Sequence, residues 1–131
     1  MAEYDFRHFA FLNFFEFYIS NSQSIKGISI DQKKLSSKQN IRYKQLILNT
    51  HRSLEEIILY IEENSTNWSF DRISPVEKVC IILGVSELSM LLTKKEVIIS
   101  EWVKLADIHS STEGAKFVNG LLESINTVLT K

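Results

Sequence analysis

Residues 74–92 read SPVEKVCIILGVSELSMLL, and this stretch decides the fold of the chain. Ser74, Pro75 and Glu77 match a capping box, in which the Ser74 hydroxyl accepts a hydrogen bond from the third helical amide and Glu77 accepts one from the Ser74 amide. Pro75 falls at the first helical position, where no N–H is needed. The apolar residues that follow keep helical spacing and fill more than one side of the helix. The pattern predicts a central, buried helix.

Two helices are predicted before this stretch. Residues 5–19 are densely aromatic, and we expect them to form a helix against the central one, since each exposed phenylalanine would forgo about 1.5 to 3 kcal/mol of burial. An aromatic strip that stacks on bases is the functional alternative, although only Arg7 and His8 supply interleaved basic groups. Residues 20–39 are polar and predict a loop. A longer amphipathic helix is predicted from Ser37 or Asn40 to Glu63.

Two more helices are predicted after residue 92. Thr93 and Glu96 repeat the capping-box pattern and predict the start of a helix with a broad apolar side. The last helix is predicted to start either with Ser110 and Glu113 or with Thr112. Because no segment alternates with period two over a convincing length, the chain is predicted to be all-α. We expect one domain over residues 1–131, a compact bundle of five to seven helices.

Composition narrows the class of protein. The chain has 131 residues, of which 44% are hydrophobic, enough for one proper core. No apolar run reaches the roughly 18 residues of a membrane span, and the first residues lack the pattern of a signal peptide, so a cytoplasmic protein is expected. The single cysteine, Cys80, excludes a disulfide and is predicted to be a buried, unreactive thiol.

The positive charge is concentrated in one window. The net charge of the whole chain is −1, but residues 26–52 contain seven Lys or Arg against one Asp, a local net charge of +6. A solvated loop and helix face is one interpretation of this window. A surface that faces RNA phosphates is the other.

The sequence contains little catalytic chemistry. None of the four glycines forms a phosphate-binding loop, and His8, His51 and His109 lack the spacing of a zinc site with one cysteine. The adjacent glutamates at 55–56 and 62–63 are predicted to be solvated, so no pair of carboxylates is identified that could act in acid–base catalysis. We therefore expect a protein that is not an enzyme and that needs no metal or cofactor.

Several runs of the chain resemble the NusB family of bacterial transcription antitermination factors, which are all-helical. The resemblance is strongest between Trp68 and Ile125, where Lys116-Phe117-Val118-Asn119-Gly120 is followed by two leucines. In the same region it also rests on Arg72, the cap at 74–77, Gly84, Glu87, Leu88 and residues 97–106. It extends more weakly to Arg7, Ala10, Phe14, Phe15 and residues 57–61.

The resemblance implies a small RNA-binding protein that recognises boxA-type RNA, in a nascent or ribosomal transcript, together with the ribosomal protein NusE. Matching positions one by one places Glu113, Lys116 and Phe117 against RNA, with Arg7 in the first helix as a further contact. Lys33, Lys34 and Lys38 of the basic window are additional candidates for RNA contact. Phe15 and Glu77 match the surface that meets NusE.

The chain departs from the family at its N-terminus. Family members usually begin with a cluster of arginines, whereas this chain has Glu3, Tyr4, Asp5 and Phe6 before Arg7. An antitermination factor in which the basic window replaces those arginines is the first hypothesis. A protein-interaction module that binds NusE or a second copy of itself, with RNA binding largely lost, is the second. The third, an RNA-binding domain of an RNA-modifying enzyme, requires a catalytic domain for which 131 residues leave no room.

Overall fold

The computed structural model describes residues 5–20, 35–65 and 70–129. Within these ranges it contains six α-helices, one short 3-10 helix and no strand, which confirms the all-α prediction. The predicted loop at 20–39 and the basic residues Lys33 and Lys34 lie largely or wholly outside the described residues. The α-helices are α1 (Phe6–Ser20), α2 (Ser37–Arg52), α3 (Leu54–Glu63), α4 (Pro75–Met90), α5 (Lys95–His109) and α6 (Thr112–Leu129), with the 3-10 helix at Phe70–Arg72.

The helix α4 is the centre of the fold. All of its residues from Val79 to Leu88 are buried, and α1, α2, α3, α5 and α6 all pack against it. Cys80 and Trp102 of α5 are fully buried in the shared core. Burial, followed by the charge of Glu77, raises the pKa of the Cys80 thiol well above its usual value, so the thiol stays protonated and unreactive. These positions confirm the prediction of a central, buried helix.

The capping box of α4 is half formed. The Ser74 hydroxyl accepts a hydrogen bond from the Glu77 amide at 3.4 Å, and Pro75 lies at the start of the helix. The Glu77 carboxylate, however, accepts a hydrogen bond from the Ser110 hydroxyl at 2.8 Å instead of turning back to the Ser74 amide. A partner from a distant part of the chain therefore replaces the predicted local one.

The helix α4 ends at an unusual leucine. Leu91 has φ 58° and ψ 32°, a left-handed conformation that usually belongs to glycine at this position. For a residue with a Cβ atom this left-handed conformation costs about 1 to 2 kcal/mol of free energy. The Leu91 amide donates to the Leu88 carbonyl oxygen at 3.4 Å, while the Leu91 side chain is 78% exposed.

The single helix predicted up to Glu63 is wrong, because the chain breaks at Ser53 into α2 and α3. Ser36 caps α2 by accepting a hydrogen bond from the Gln39 amide. One straight helix over this length would run past the core, whereas two helices joined by a bend both pack against α4.

The predicted cap of α5 is wrong, whereas α6 begins at Thr112, one of its two predicted starts. The Thr93 hydroxyl accepts a hydrogen bond from Arg42 Nη2 at 2.7 Å, and α5 starts after Lys94 without a side-chain cap. At the start of α6 the hydroxyl of Ser111 accepts from the Gly114 amide at 2.9 Å. The Thr93 hydroxyl thus bonds to a distant helix, whereas the Ser111 hydroxyl bonds at the local spacing of a helix start.

A buried ionic cluster joins four helices. Glu87 of α4 is 3% exposed, and its Oε1 and Oε2 accept hydrogen bonds from Arg7 Nε at 2.8 Å and Arg7 Nη2 at 2.7 Å. The indole Nε1 of Trp102 donates to Glu87 Oε1 at 2.9 Å, and Arg42 Nη2 lies 3.5 Å from Glu87 Oε2. Asp5 Oδ2 accepts from Arg7 Nη1 at 3.0 Å. The cluster ties α1, α2 and α5 to the C-terminal part of α4.

Arg7 therefore differs from its predicted role. The side chain is buried, with 5% of the residue exposed, and its guanidinium bonds to two carboxylates inside the protein. Burial by itself lowers the pKa of Arg7, but the hydrogen bond and charge of Glu87 outweigh it and raise the pKa above its usual value. An RNA phosphate would reach this group only if the bonds to Glu87 and Asp5 opened.

Breaking this cluster from one side should destabilise the fold strongly. We expect Glu87→Leu to lower the free energy of unfolding by about 3 to 5 kcal/mol, because it leaves the Arg7 guanidinium buried without its main partner. The double variant Arg7→Met with Glu87→Leu should cost less than the sum of the two single variants. Urea unfolding measures all three, with Lys104→Ala at an exposed ion pair as the control with little effect. If the double variant loses as much free energy of unfolding as the two single variants together, Arg7 and Glu87 are not coupled.

Candidate RNA and protein interface

The short connection between α5 and α6 brings four helices to one place. His109 closes α5, and its Nε2 lies 3.3 Å from Nε2 of His8 in α1. The next residue, Ser110, donates its hydroxyl hydrogen bond to Glu77 in the first turn of α4. The first turn of α6 follows directly, with Glu113 exposed to solvent. The N-terminal parts of α1, α4 and α6 therefore meet at the C-terminal end of α5.

An aromatic row extends from this point along α1. The ring of Phe11 stacks on the imidazole of His109, with 4.8 Å between the ring centroids and 20° between the planes. Phe15, one turn further along α1, stacks on Phe11 at 5.6 Å. The half-buried Phe15 and Glu77, both predicted to meet a protein partner, are thus connected through Phe11, His109 and Ser110. We call this connected set, from Phe15 to Glu77, the aromatic row.

A glycine allows the close approach of α6 to α4. Gly114 is buried in the first turn of α6, where a Cβ atom would collide with the Glu77 carboxylate and lie 2.8 Å from Ser110 Oγ. Sequence reasoning missed Gly114, Ser110 and His109. The signal for Gly114 was a glycine inside a predicted first helical turn, where it lowers helix propensity and needs another reason.

The predicted RNA-binding residues of α6 form one group. Glu113 and Lys116 are exposed, and Phe117 is half buried against the hydrophobic core. Lys116 also borders an open groove of about 380 Å³ between α5 and α6. The groove is lined by Ser100, Val103, Lys104, Asp107, Thr112, Ala115, Lys116 and Asn119.

A second cation, which is half buried, lies beside the aromatic row. Lys78 of α4 follows Glu77, and its Nζ lies 4.6 Å from the ring centroid of Phe70 and 5.9 Å from that of Tyr18. A cation over two aromatic rings is attracted to their faces and is held in place. Lys78 and Lys116 put positive charge near the N-terminal ends of α4 and α6.

The remaining RNA candidates are not part of this group. Arg7 is buried in the ionic cluster. Lys38 is exposed in the first turn of α2, a helix that packs against α1, α3 and α4. The structure thus brings Glu113, Lys116 and Phe117 together and separates Arg7 from them by burial.

Two further findings concern the described residues only. No group of three or more His, Cys, Asp or Glu side chains among them is arranged to hold a metal ion. None of the helices in the described ranges is long and apolar enough to cross a membrane. The face around the α5–α6 connection offers the half-buried rings of Phe15 and Phe117, exposed hydroxyl groups and a few charges.

An all-helical fold with such a face defines a binding protein built for macromolecular partners. The chain belongs to the NusB family, whose sequence profile matches residues 4–127. Transcription antitermination protein NusB of Helicobacter pylori is 28% identical over 115 residues, which cover 86% of this chain and 83% of that protein. The protein of the same name from Sulfurovum sp. is 32% identical over 96 residues, which cover 73% of this chain and 74% of that protein.

Solved structures support the same assignment. The chain matches one in a crystal structure of antitermination factors NusB and NusE in complex with dsRNA, with a TM-score of 0.83, 27% identity and 94% of both chains covered. The solution structure of NusB from Aquifex aeolicus gives a TM-score of 0.70 at 28% identity, covering 93% of this chain and 85% of that one. The predicted family is confirmed, and a family of antitermination factors agrees with the prediction that the chain is not an enzyme.

The paired histidines should make the fold sensitive to acid. Burial is the main cause that lowers the pKa of His8, with the charge of His109 adding to it and Asp5 opposing it. Burial also lowers the pKa values of His109 and His51. Because these folded-state pKa values lie below the unfolded value of 6.5, the unfolded chain binds more protons below that pH.

We therefore expect the free energy of unfolding to decrease as the pH falls from about 7.5 to about 5.5. His8→Gln should flatten this dependence, since it removes a titrating group whose pKa burial and His109 both lower. Urea unfolding at a series of pH values provides the measurement. His51→Gln changes a histidine outside the pair and is the control. It should remove only the contribution of His51 to the pH dependence of the free energy of unfolding. An unchanged slope in His8→Gln would rule out this source of acid sensitivity.

Proposed function

We propose that this chain is a transcription antitermination factor that binds boxA-type RNA together with the ribosomal protein NusE. The observation that carries the proposal is the connection between its two predicted sites. The Ser110–Glu77 hydrogen bond joins the start of α6, with Lys116 and Phe117, to the aromatic row that contains Phe15. A solved structure of NusB with NusE and dsRNA, 27% identical to this chain, supports both partners.

In this proposal the RNA contacts come from the first turns of α6. Phe117 stacks on an unpaired base, and Lys116 neutralises a phosphate. Since Arg7 is committed to Glu87 and Asp5, few cations remain for phosphates on this face. Each phosphate contact contributes about 0.7 to 0.9 to the slope of log affinity against log salt, so that slope should be shallow. RNA affinity of the chain alone should be weak and should depend on NusE.

The protein contacts come from the aromatic row. Phe15 is half buried and can bury more of its ring against a partner, while Glu77 offers a carboxylate at the end of the row. Nascent transcripts are made in the bacterial cytoplasm, so this function also supports a cytoplasmic location for the protein.

A module that binds only proteins is the second candidate. The burial of Arg7 and the acidic Asp5 beside it favour this alternative, because both remove positive charge from the N-terminal part of α1. Such a module would bind NusE or form a homodimer without a salt-dependent affinity for RNA.

Substitution of Phe117 tests the RNA half of the proposal. Phe117→Ala should weaken binding of a boxA-type RNA to the complex with NusE by about 1 to 3 kcal/mol, the range for loss of one stacked base. Because Phe117 also packs on the core, the fold should lose some stability. Phe117→Leu keeps the apolar contact and is the matched control: it should restore stability but not RNA affinity. RNA affinity equal to the wild type in Phe117→Leu would exclude stacking by this ring.

Substitution of Glu77 tests the protein half. Glu77→Lys should weaken NusE binding more than tenfold, because it reverses the charge at the end of the aromatic row. It also breaks the bond from Ser110, so Ser110→Ala, which removes only that bond, is the control for structural effects. Calorimetric titration with purified NusE measures both variants. Equal losses of NusE affinity in Glu77→Lys and Ser110→Ala would show that the Glu77 carboxylate only holds the α5–α6 connection in place.

A further inference from the structure

Four aliphatic side chains are exposed where α2 meets the end of α4. Ile41 and Leu48, seven positions apart on one face of α2, are 58% and 56% exposed, and Leu91 and Leu92 lie in the connection that follows α4. The α2 residues Arg42 and Gln45 line a small cleft together with Leu92 and Met90. We call Ile41, Leu48, Leu91 and Leu92 the α2–α4 surface.

The position of this surface is held by polar contacts between the two helices. The guanidinium of Arg42 bonds to Thr93, and the side-chain amide of Asn49 donates to Ser86 Oγ at 2.8 Å and lies 3.4 Å from Ser89 Oγ. These contacts lie at both ends of the stretch from Ile41 to Leu48. The exposed side chains therefore sit on a rigid support, as a preformed binding surface requires.

The backbone of Leu91 gives a second, independent reason to expect a partner. A left-handed residue at a helix end is normally glycine, yet this position carries a leucine whose side chain is almost entirely in water. The exposed Leu91 side chain improves neither the stability nor the solubility of the isolated chain. Strain of this kind is typical of positions that act in binding.

The charge around the α2–α4 surface is positive. The helix α2 contains no acidic residue, and its Lys38, Lys44 and Arg52 are exposed. Lys94 and Lys95 are exposed after Leu92, with Glu96 as the acidic residue of that turn and Glu123 at 4.0 Å from Lys95 Nζ. An aliphatic centre with a mainly cationic rim fits a partner with aliphatic side chains flanked by carboxylates.

The surface is separate from the proposed RNA and NusE interface. Glu77 lies at the start of α4 and Leu91 just after its end, which is about 20 Å apart at the rise of an α-helix. A partner bound at the α2–α4 surface therefore leaves the aromatic row and Lys116 accessible.

We propose that the α2–α4 surface binds an amphipathic helical segment of another protein, with aliphatic residues on one face and Asp or Glu along its edges. RNA is a poorer fit because the exposed apolar groups are aliphatic, whereas unpaired bases stack on aromatic rings. A second copy of this chain is also a poorer fit, since two cationic rims would face each other. Ile41 and Leu48 lie two turns apart on one face of α2, a spacing at which a second helix can pack along the first.

A set of synthetic peptides tests this assignment with the full chain. The probe is a fluorescein-labelled helical peptide of 16 residues, the length of α2, with Leu at helical spacing and Glu at the flanking positions. Two matched peptides carry Lys for every Glu or Ser for every Leu. Fluorescence anisotropy should show saturable binding of the first peptide only, with an affinity that falls as salt rises. Absence of saturable binding, or equal binding of the Lys peptide, would overturn the proposal.

Variants of the chain locate the site. The double change Ile41→Ser with Leu48→Ser should weaken peptide binding about tenfold or more, since both side chains would lose the chance of burial. Leu59→Ser, at an equally exposed leucine of α3, is the control and should bind as the wild type does. Leu91→Gly should raise the melting temperature and still weaken binding several-fold, a combination that a purely structural role does not produce.

Two other occupants give distinguishable results. A homodimer that sedimentation detects, and that Ile41→Ser with Leu48→Ser dissociates, would assign the surface to self-association and overturn the proposal. An RNA oligonucleotide whose affinity falls with Lys44→Glu and Lys94→Glu, but not with the serine variants, would assign it to nucleic acid and overturn it equally.

Discussion

A single carboxylate near the C-terminal end of the central helix fixes the positions of the helices around it. Glu87 is buried on α4, where an unpaired charge would be very costly, so α1 must supply Arg7 and α5 must supply the indole N–H of Trp102. Arg42 approaches from α2 and reaches Thr93 as well. Apolar packing alone allows these helices to slide, whereas this set of directed bonds permits one arrangement.

The same cluster shapes what the surface can do. A guanidinium that neutralises Glu87 and Asp5 inside the protein is not available to a phosphate outside it. Positive charge on the proposed RNA-binding face therefore rests on a few lysines such as Lys116 and Lys78. A face with so little charge gains affinity mainly from stacking and from a protein partner, which agrees with an antitermination factor that acts in a complex.

A second polar contact links the fold to the proposed site. The bond from Ser110 to Glu77 fixes the end of α5 against the start of α4, and it needs Gly114 because any side chain there would collide with the carboxylate. His109 is thereby held against His8 and Phe11. The aromatic row and the first turn of α6 become one surface through this small set of contacts.

The sequence alone determined most of the helices, because helix caps and apolar spacing act over a few residues: Ser74 and Pro75 start α4, and its apolar sides are buried as their spacing predicts. The family followed from the resemblance of particular runs of residues, such as Lys116-Phe117-Val118-Asn119-Gly120. Only the tertiary structure decided which polar groups meet. Glu77 bonds across 33 positions to Ser110, Arg42 across 51 to Thr93, and Arg7 across 80 to Glu87. Periodicity identifies the face that turns inward, but the partner of a buried charge depends on how distant helices pack, and that depends on the whole core.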